Sequence, residues 1–171
     1  MAIEYEHKYL LKGKPKFLFP DDEITSPFML RLFGIHHIEQ FYMSVDRERN
    51  YVHRARCTYS VPSVKLYEEC HKIGKGKNTE EIEYYITDSV YNQLKQFCII
   101  GNVISKTRYI IKDSAGLRWD VDEYSTGEWV AELENPPDEY EVPFEDTINV
   151  TESFEYKNIS IALNGFPDVQ R

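Results

Sequence analysis

Like charges separated by a single residue recur along the whole of this chain. Glu4 and Glu6 are followed by Lys8, and then come Arg54 and Arg56, Glu81 and Glu83, Lys106 and Arg108, Asp120 and Asp122, and Glu132 and Glu134. In an extended strand, residues i and i+2 point to the same side and lie roughly 6–7 Å apart. Each pair therefore loads one face of one strand with one sign of charge. A single pair of this kind is most simply a solvated surface. The repetition argues otherwise, because the wet face of an amphipathic sheet mixes Ser, Thr, Asn, Lys and Glu, whereas here the alternate positions are Ala55, Ile82, Trp119, Val121, Ala131 and Leu133. If the strands close into a barrel, the apolar parity packs outward under helices and the charged parity lines a hydrated interior. Unpaired charge of either sign is costly in such a space. Acids and bases should then interleave there, leaving a site where divalent metal and an anionic ligand meet.

The rest of the chain fits short antiparallel strands. Tyr (13), Phe (9) and short Val and Ile runs favour strand over helix. Strands are expected over 3–10, 38–42, 52–59, 64–72, 81–86, 104–111, 117–124 and 128–134, with a hairpin connection at 46–50 and a turn at 74–78. One helix is expected from Asp88, which can cap it, with Val90, Leu94 and Phe97 or Cys98 at helical spacing and Gly101 as its stop signal. The segment 15–35 reads as a lid or a cover over one barrel end, with a short helix around 28–33. The expected class is α+β, mainly β.

Length and charge narrow the possibilities. A chain of 171 residues, 42% hydrophobic, suits one domain spanning 1–171. No uncharged apolar run approaches the roughly 18–20 residues that span a bilayer, and no signal-peptide core opens the chain, so a soluble protein without a membrane partner is expected. Cys57, Cys70 and Cys98 are odd in number and lack metal-ligand spacing, which favours a reducing cytoplasm. The net charge of −9 argues against general nucleic-acid binding, which rests on an excess of Lys and Arg. Any anionic ligand must be held by a local basic cluster. His36 and His37 are adjacent and are not expected to share one site. Trp119, Tyr42 and Tyr109 read as packing residues.

Laid end to end, these blocks resemble the CYTH superfamily, the triphosphate tunnel metalloenzymes, over nearly the whole chain. The resemblance rests on Glu4-Tyr5-Glu6-His7-Lys8, Gln40-Phe41-Tyr42-Met43, Arg54-Ala55-Arg56, Lys72, Glu81-Ile82-Glu83, Lys106-Thr107-Arg108-Tyr109, Trp119-Asp120-Val121-Asp122 and Glu132-Leu133-Glu134, in that order. The tail, Asn149-Val150-Thr151-Glu152 followed by Tyr156-Lys157-Asn158, is similar to that of short stand-alone bacterial members of the inorganic triphosphatase branch.

The resemblance implies an eight-stranded antiparallel closed β-barrel forming a tunnel, with a few covering helices. It implies metal-dependent hydrolysis of a triphosphate, most simply inorganic tripolyphosphate to pyrophosphate and phosphate, with thiamine triphosphate or ATP as other substrates. Lys8, Arg54, Arg56, Lys72, Lys106 and Arg108 would grip phosphate oxygens. Glu4, Glu6, Glu132 and Glu134 would hold Mg²⁺ or Mn²⁺, with Glu81, Glu83, Asp120 and Asp122 next in line; Glu4, Glu6 and Lys8 would be the catalytic group. The runner-up is a class IV adenylyl cyclase-like conversion of ATP to cyclic AMP and pyrophosphate, and a third reading is a non-catalytic polyphosphate or nucleotide binder. The chain departs from the family at Thr79, where members commonly have Arg, and at His7 and His71 beside Lys8 and Lys72. Lys75 and Lys77 belong to the solvated turn unless one of them replaces that Arg. The oligomeric state is not legible.

Overall fold

The computed structural model describes residues 2–16, 30–60, 64–75 and 78–168, with the side chains of residues 2–4 outside the described set. Its strands are β1 (Ala2–Glu4), β2 (Glu6–Leu11), β3 (Arg31–Asp46), β4 (Tyr51–Ser60), β5 (Lys65–Ile73), β6 (Thr79–Tyr85), β7 (Ile100–Lys112), β8 (Arg118–Tyr124), β9 (Trp129–Glu134) and β10 (Ile148–Asn149). Helix α1 (Asp88–Phe97) lies between β6 and β7, and α2 (Asn158–Asn164) follows a 3₁₀ turn at Phe154–Tyr156. All strand pairs are antiparallel, in one sheet of order β1-β6-β5-β4-β3-β7-β8-β9-β2-β10.

This is the mainly β architecture expected, with one difference. The hydrogen-bonded order is open, running from β1 to β10, rather than a closed ring of eight. The expected N-terminal strand breaks at Tyr5: Ala2 to Glu4 pair with β6, and Glu6 to Leu11 pair with β9. One short run thus belongs to both flanks of the sheet.

Several local expectations hold and others shift. The hairpin residues 47–50 form the β3–β4 turn. Gly74, at φ +112°, permits the sharp β5–β6 turn, because a Cβ there would lie 2.1 Å from the Asn78 carbonyl oxygen. The expected strand 38–42 is the middle of the much longer β3, which begins at Arg31. The helix expected around 28–33 is therefore strand from Arg31 on, while most of 15–35 lies outside the described residues. Thr87, not Asp88, caps α1, its side chain accepting from the Val90 N–H. Gly101 is not the stop signal either, since the helix ends with Cys98 N–H donating to Leu94 O. At φ +71° a Cβ on Gly101 would sit 2.6 Å from Ala162 O, so the glycine lets β7 approach α2.

The strand alternation sorts the core as expected. On one parity, Tyr9, Trp119, Val121, Ala131 and Leu133 form an apolar cluster with Tyr140 and Phe144 against it. On the same parity of β3 and β4, Phe41, Ala55 and Cys57 pack with Tyr91 of α1. The opposite parity carries the charges and ends in a plug of Leu10, Tyr42, Ile104, Tyr124 and Val130 against Ile159 and Ala162 of α2. The three cysteine thiols are free. No helix among the described residues is long and apolar enough to cross a membrane.

Candidate anion and metal site

On the charged parity of β2, β7, β8 and β9, register places cations against carboxylates. Lys8 stands opposite Glu132, Asp120 opposite Glu132 and Arg108 opposite Asp122. Lys8 Nζ lies 2.9 Å from Glu132 Oε1 and 3.4 Å from Glu6 Oε1. The Arg108 guanidinium donates to both Asp122 oxygens, at 2.7 and 2.8 Å, to Asp120 at 2.8 Å and to Glu132 at 2.8 Å. Lys106 Nζ donates to Asp122 Oδ2 at 2.5 Å. The network is desolvated, with Lys106 and Asp122 side chains 1% and 0% exposed, so each charge depends on its neighbours rather than on water.

The electrostatics follow from that burial. Burial alone would raise the Glu132 carboxyl, but Lys8, Lys106 and Arg108 hold it well below its usual range. Burial would lower the Lys8 ammonium, yet Glu132 and Glu6 keep it above normal. For Lys106, burial and the Arg108 charge outweigh Asp122, and its pKa is pulled down to about 8.

The charged parity of β4, β5 and β6 is built differently. Arg54 Nη2 reaches Glu83 Oε2 at 3.2 Å and Glu81 Oε1 at 3.4 Å, longer than a tight guanidinium–carboxylate contact. Lys72 Nζ lies 2.8 Å from Glu81 Oε2, and the Cys70 thiol donates to Glu81 Oε1 at 2.7 Å. Arg56 makes no ion pair among the described residues. The Nε atoms of Arg54 and Arg56 and the Oε1 of Gln40 are buried without a hydrogen-bond partner. Burial, Arg54 and Arg108 push the Arg56 guanidinium below its usual value. Burial and the neighbouring Glu83 carboxylate raise Glu68.

The two sets face common ground. Burial raises the Tyr42 phenol against the opposing pull of Arg54, Lys8, Arg56 and Lys72, cations drawn from both sets. Near one end a cavity of about 280 Å³ is lined by Arg118, Asp120, Glu132 and Glu134 among others.

No family model and no curated protein matches the chain. Among solved structures, that of the inorganic triphosphatase NE1496 shares 22% identity, with a TM-score of 0.58, over 98% of this chain and 99% of that one. The PH1819 protein from Pyrococcus horikoshii OT3 shares 19% identity, with a TM-score of 0.55, over 80% and 79% of the two chains. The fold is of the CYTH type.

Within this CYTH-type fold the structure brings Glu6, Lys8, Lys106, Arg108, Asp120, Asp122 and Glu132 together on one side of the site and Arg54, Arg56, Lys72, Glu81 and Glu83 on the other. Glu134 is exposed, across from Glu6 at the β2–β9 end. The Glu4 side chain and Lys77 lie outside the described residues, and Lys75 is exposed in its turn. Thr79 opens β6 across from Glu4. The carboxylates of Glu6, Asp120, Glu132 and Glu134 are oxygen ligands of the kind a hard divalent cation such as Mg²⁺ or Mn²⁺ takes, but among the described residues the group on the charged parity whose ligand atoms converge is Cys70, Glu81 and Glu83. Two expected packing residues, Trp119 and Tyr109, lie on or against the apolar cluster, but Tyr42 stands on the charged parity and accepts from Gln40 Nε2 at 3.0 Å.

Three residues of the site had no assigned role in the sequence. Gln40 is fully buried beside Tyr42 and opposite Arg56. Arg118 Nε donates to Asp120 at 3.0 Å at the cavity rim. Lys157 is lowered by burial and by the nearby Lys8, which places it close to Lys8 and Glu6. Gln40 and Lys157 fall within quoted motifs, so a signal existed; Arg118 is set apart only by its strand parity with Asp120.

Proposed function

We propose that the chain is a divalent-metal-dependent triphosphatase that hydrolyses inorganic tripolyphosphate to pyrophosphate and phosphate. The observation that carries this reading is the Arg56 guanidinium, which has no ion pair among the described residues, beside Arg54, whose Nε is buried without a hydrogen-bond partner and whose acids lie 3.2–3.4 Å away. A buried guanidinium left without an anion is costly, and a polyphosphate supplies what it lacks: several charged oxygens for charge-assisted bonds. The name of the NE1496 triphosphatase adds support. The same reading has the sheet closing into a tunnel through the run that joins β1 to β2 at Tyr5, with residues 1–171 as one unit.

The roles follow from position. Arg54, Arg56 and Lys72 would bind phosphate oxygens from the β4–β5 side, and Lys8, Lys106 and Arg108 from the other. Glu4, Glu6, Glu132 and Glu134 would hold the metal, with Asp120, Asp122, Glu81 and Glu83 as further donors or as partners that keep the cations in place. The bound metal supplies charge neutralisation on the phosphoanhydride and an acidified water. The chain's own part is to fix the phosphate row between two banks of cations. Glu6, 44% exposed, would orient the attacking water from among the metal's ligands. No side-chain nucleophile is required.

The test is ³¹P NMR of purified protein with Mg²⁺, repeated with Mn²⁺, offered tripolyphosphate and ATP in parallel. Pyrophosphate and phosphate from tripolyphosphate are the expected products. Cyclic AMP and pyrophosphate from ATP would overturn the triphosphatase reading in favour of cyclase chemistry. Unchanged spectra with both metals, alongside measurable tripolyphosphate binding, would overturn it in favour of a binder.

A further inference from the structure

The face of β4 and β5 turned away from the charged site carries a separate cluster. His53 and His71 stand directly opposite one another across the two strands, and Glu69 precedes His71 by two residues on the same side. The imidazoles stack, with ring centroids 4.0 Å apart and planes 17° from parallel. His53 Nε2 lies 2.5 Å from Glu69 Oε1, and His71 Nε2 lies 3.9 Å from that same oxygen. One ligand atom from each of the three residues thus falls within 4.8 Å of the others. The Tyr51 hydroxyl sits 2.8 Å from His71 Nδ1, which fixes the ring and leaves Nε2 as the ligating nitrogen. The Tyr84 hydroxyl lies 3.3 Å from that nitrogen.

We propose that His53, Glu69 and His71 form a binding site for a divalent transition cation of the zinc class, distinct from the charged site. Two imidazoles and one carboxylate hold Zn²⁺ with a fourth position open to water, and imidazole ligands disfavour Mg²⁺ and Mn²⁺, which take oxygen. Metal–ligand bonds of about 2.0–2.2 Å put tetrahedral ligand atoms about 3.3–3.5 Å apart. The present separations of 2.5 and 3.9 Å bracket that value, and the two rings turn out of their stack so that one cation lies in both ring planes. The cation takes the place of the hydrogen between His53 Nε2 and Glu69, which moves to His53 Nδ1 in the neutral ring and leaves one proton to solvent from the protonated ring; that pair opens, and His71 closes as Nε2 leaves Tyr84. The side chains are 19%, 13% and 30% exposed, in the order His53, Glu69, His71, which keeps them ordered while leaving a path for entry. Because His53 adjoins Arg54, and His71 lies between Cys70 and Lys72, the bound cation clips β5 to β4, the strand that carries Arg54 and Arg56.

The metal-free protein is titrated calorimetrically with ZnCl₂ in a large excess of Mg²⁺, and separately with CoCl₂ while visible absorption is recorded. One equivalent should bind, the Co²⁺ form should show the d–d bands of a four-coordinate centre, and the melting temperature should rise. His53→Gln and His71→Gln should each weaken Zn²⁺ binding at least about tenfold, while Glu6→Gln and Glu134→Gln on the charged parity should leave it unchanged. In the unsubstituted protein, Zn²⁺ should shift the His53 and His71 ring resonances in NMR, which requires no variant to fold. Absence of binding under excess Mg²⁺, equal affinity in the histidine variants, loss of binding in Glu6→Gln or Glu134→Gln, or unmoved histidine resonances would each overturn the assignment.

Discussion

On β2, β7, β8 and β9 the buried cations Lys8, Lys106 and Arg108 each meet a carboxylate at 2.5–2.9 Å, whereas on β4 Arg54 reaches its acids only at 3.2–3.4 Å and Arg56 has no ion pair among the described residues. Both halves carry Lys and Arg on one strand parity, so the difference lies in register rather than composition. In the first half the acid-bearing strand β8 lies beside β7 and β9 lies beside β2, so cross-strand neighbours neutralise each other. In the second, the cross-strand neighbours of Arg54 and Arg56 on β5 are Cys70 and Glu68, and on β3 they are Tyr42 and Gln40. A closed network holds the fold together; an open one is available to an incoming anion. Folding strength and ligand binding should therefore separate by substitution.

The largest effect is expected on the closed side. Asp122→Ala strips partners from both Lys106 and Arg108, leaving two buried cations under-neutralised, and should cost about 3–5 kcal/mol of stability, read from urea unfolding. Arg56→Gln should cost none, because it removes a buried charge that has no ion pair. Equal losses in the two variants would erase the distinction between the halves.

The second effect reverses the roles. Arg56→Gln should weaken tripolyphosphate binding about 100-fold by calorimetry, about 2.7 kcal/mol. The thermal stabilisation that saturating tripolyphosphate gives the unsubstituted protein should largely vanish with it. Retained affinity would show that the partnerless guanidinium is an accident of packing.

How much of this was legible follows from the same contrast. Parity was: Glu-x-Glu and Arg-x-Arg with Trp119, Val121, Ala131 and Leu133 between them located the charged and apolar faces, and the structure keeps them apart. Register was not, because which acid meets which base depends on strand pairing between residues as distant as Lys8 and Glu132. The break at Tyr5 was also hidden, since residues 3–10 alternate without interruption and only the competing partners β6 and β9 divide them. Residues 31–33 read as the end of a short helix for the opposite reason. Phe33 and Gly34 interrupt any period, yet pairing with β7 makes strand from Arg31 onward. Gln40 lay in a quoted motif, but its burial without a partner for Oε1 is a property of the assembled site.

A third, smaller effect grades the open half. Lys72 is a point charge with a side chain 31% exposed and 2.8 Å from Glu81, so Lys72→Ala should weaken tripolyphosphate binding about tenfold, near 1.4 kcal/mol, less than the loss at Arg56. A larger loss at Lys72 than at Arg56 would move the centre of anion binding toward the β5–β6 turn.

The smallest effect belongs to a pair on the apolar parity, which serves as the exposed reference for both halves. Lys95 of α1 donates to Glu39 at 2.7 Å, and Tyr91 donates to the same oxygen at 2.9 Å. With side chains 34% and 39% exposed, solvent screens the pair, and a double-mutant cycle should give about 0.2–1 kcal/mol at neutral pH. Burial tends to raise the Glu39 carboxyl, but Lys95 and Tyr91 outweigh it and hold the folded-state value below the ordinary one. The folded state then binds fewer protons than the unfolded chain. The contribution is complete above the unfolded value of about 4.3 and is lost as pH falls through the lower folded value. The coupling between Lys95→Ala and Glu39→Gln should accordingly be present at pH 7 and fade in acid. A coupling that persisted through the acid limb, or that matched the cost of Asp122→Ala, would mean that burial is not what gives the closed network its strength.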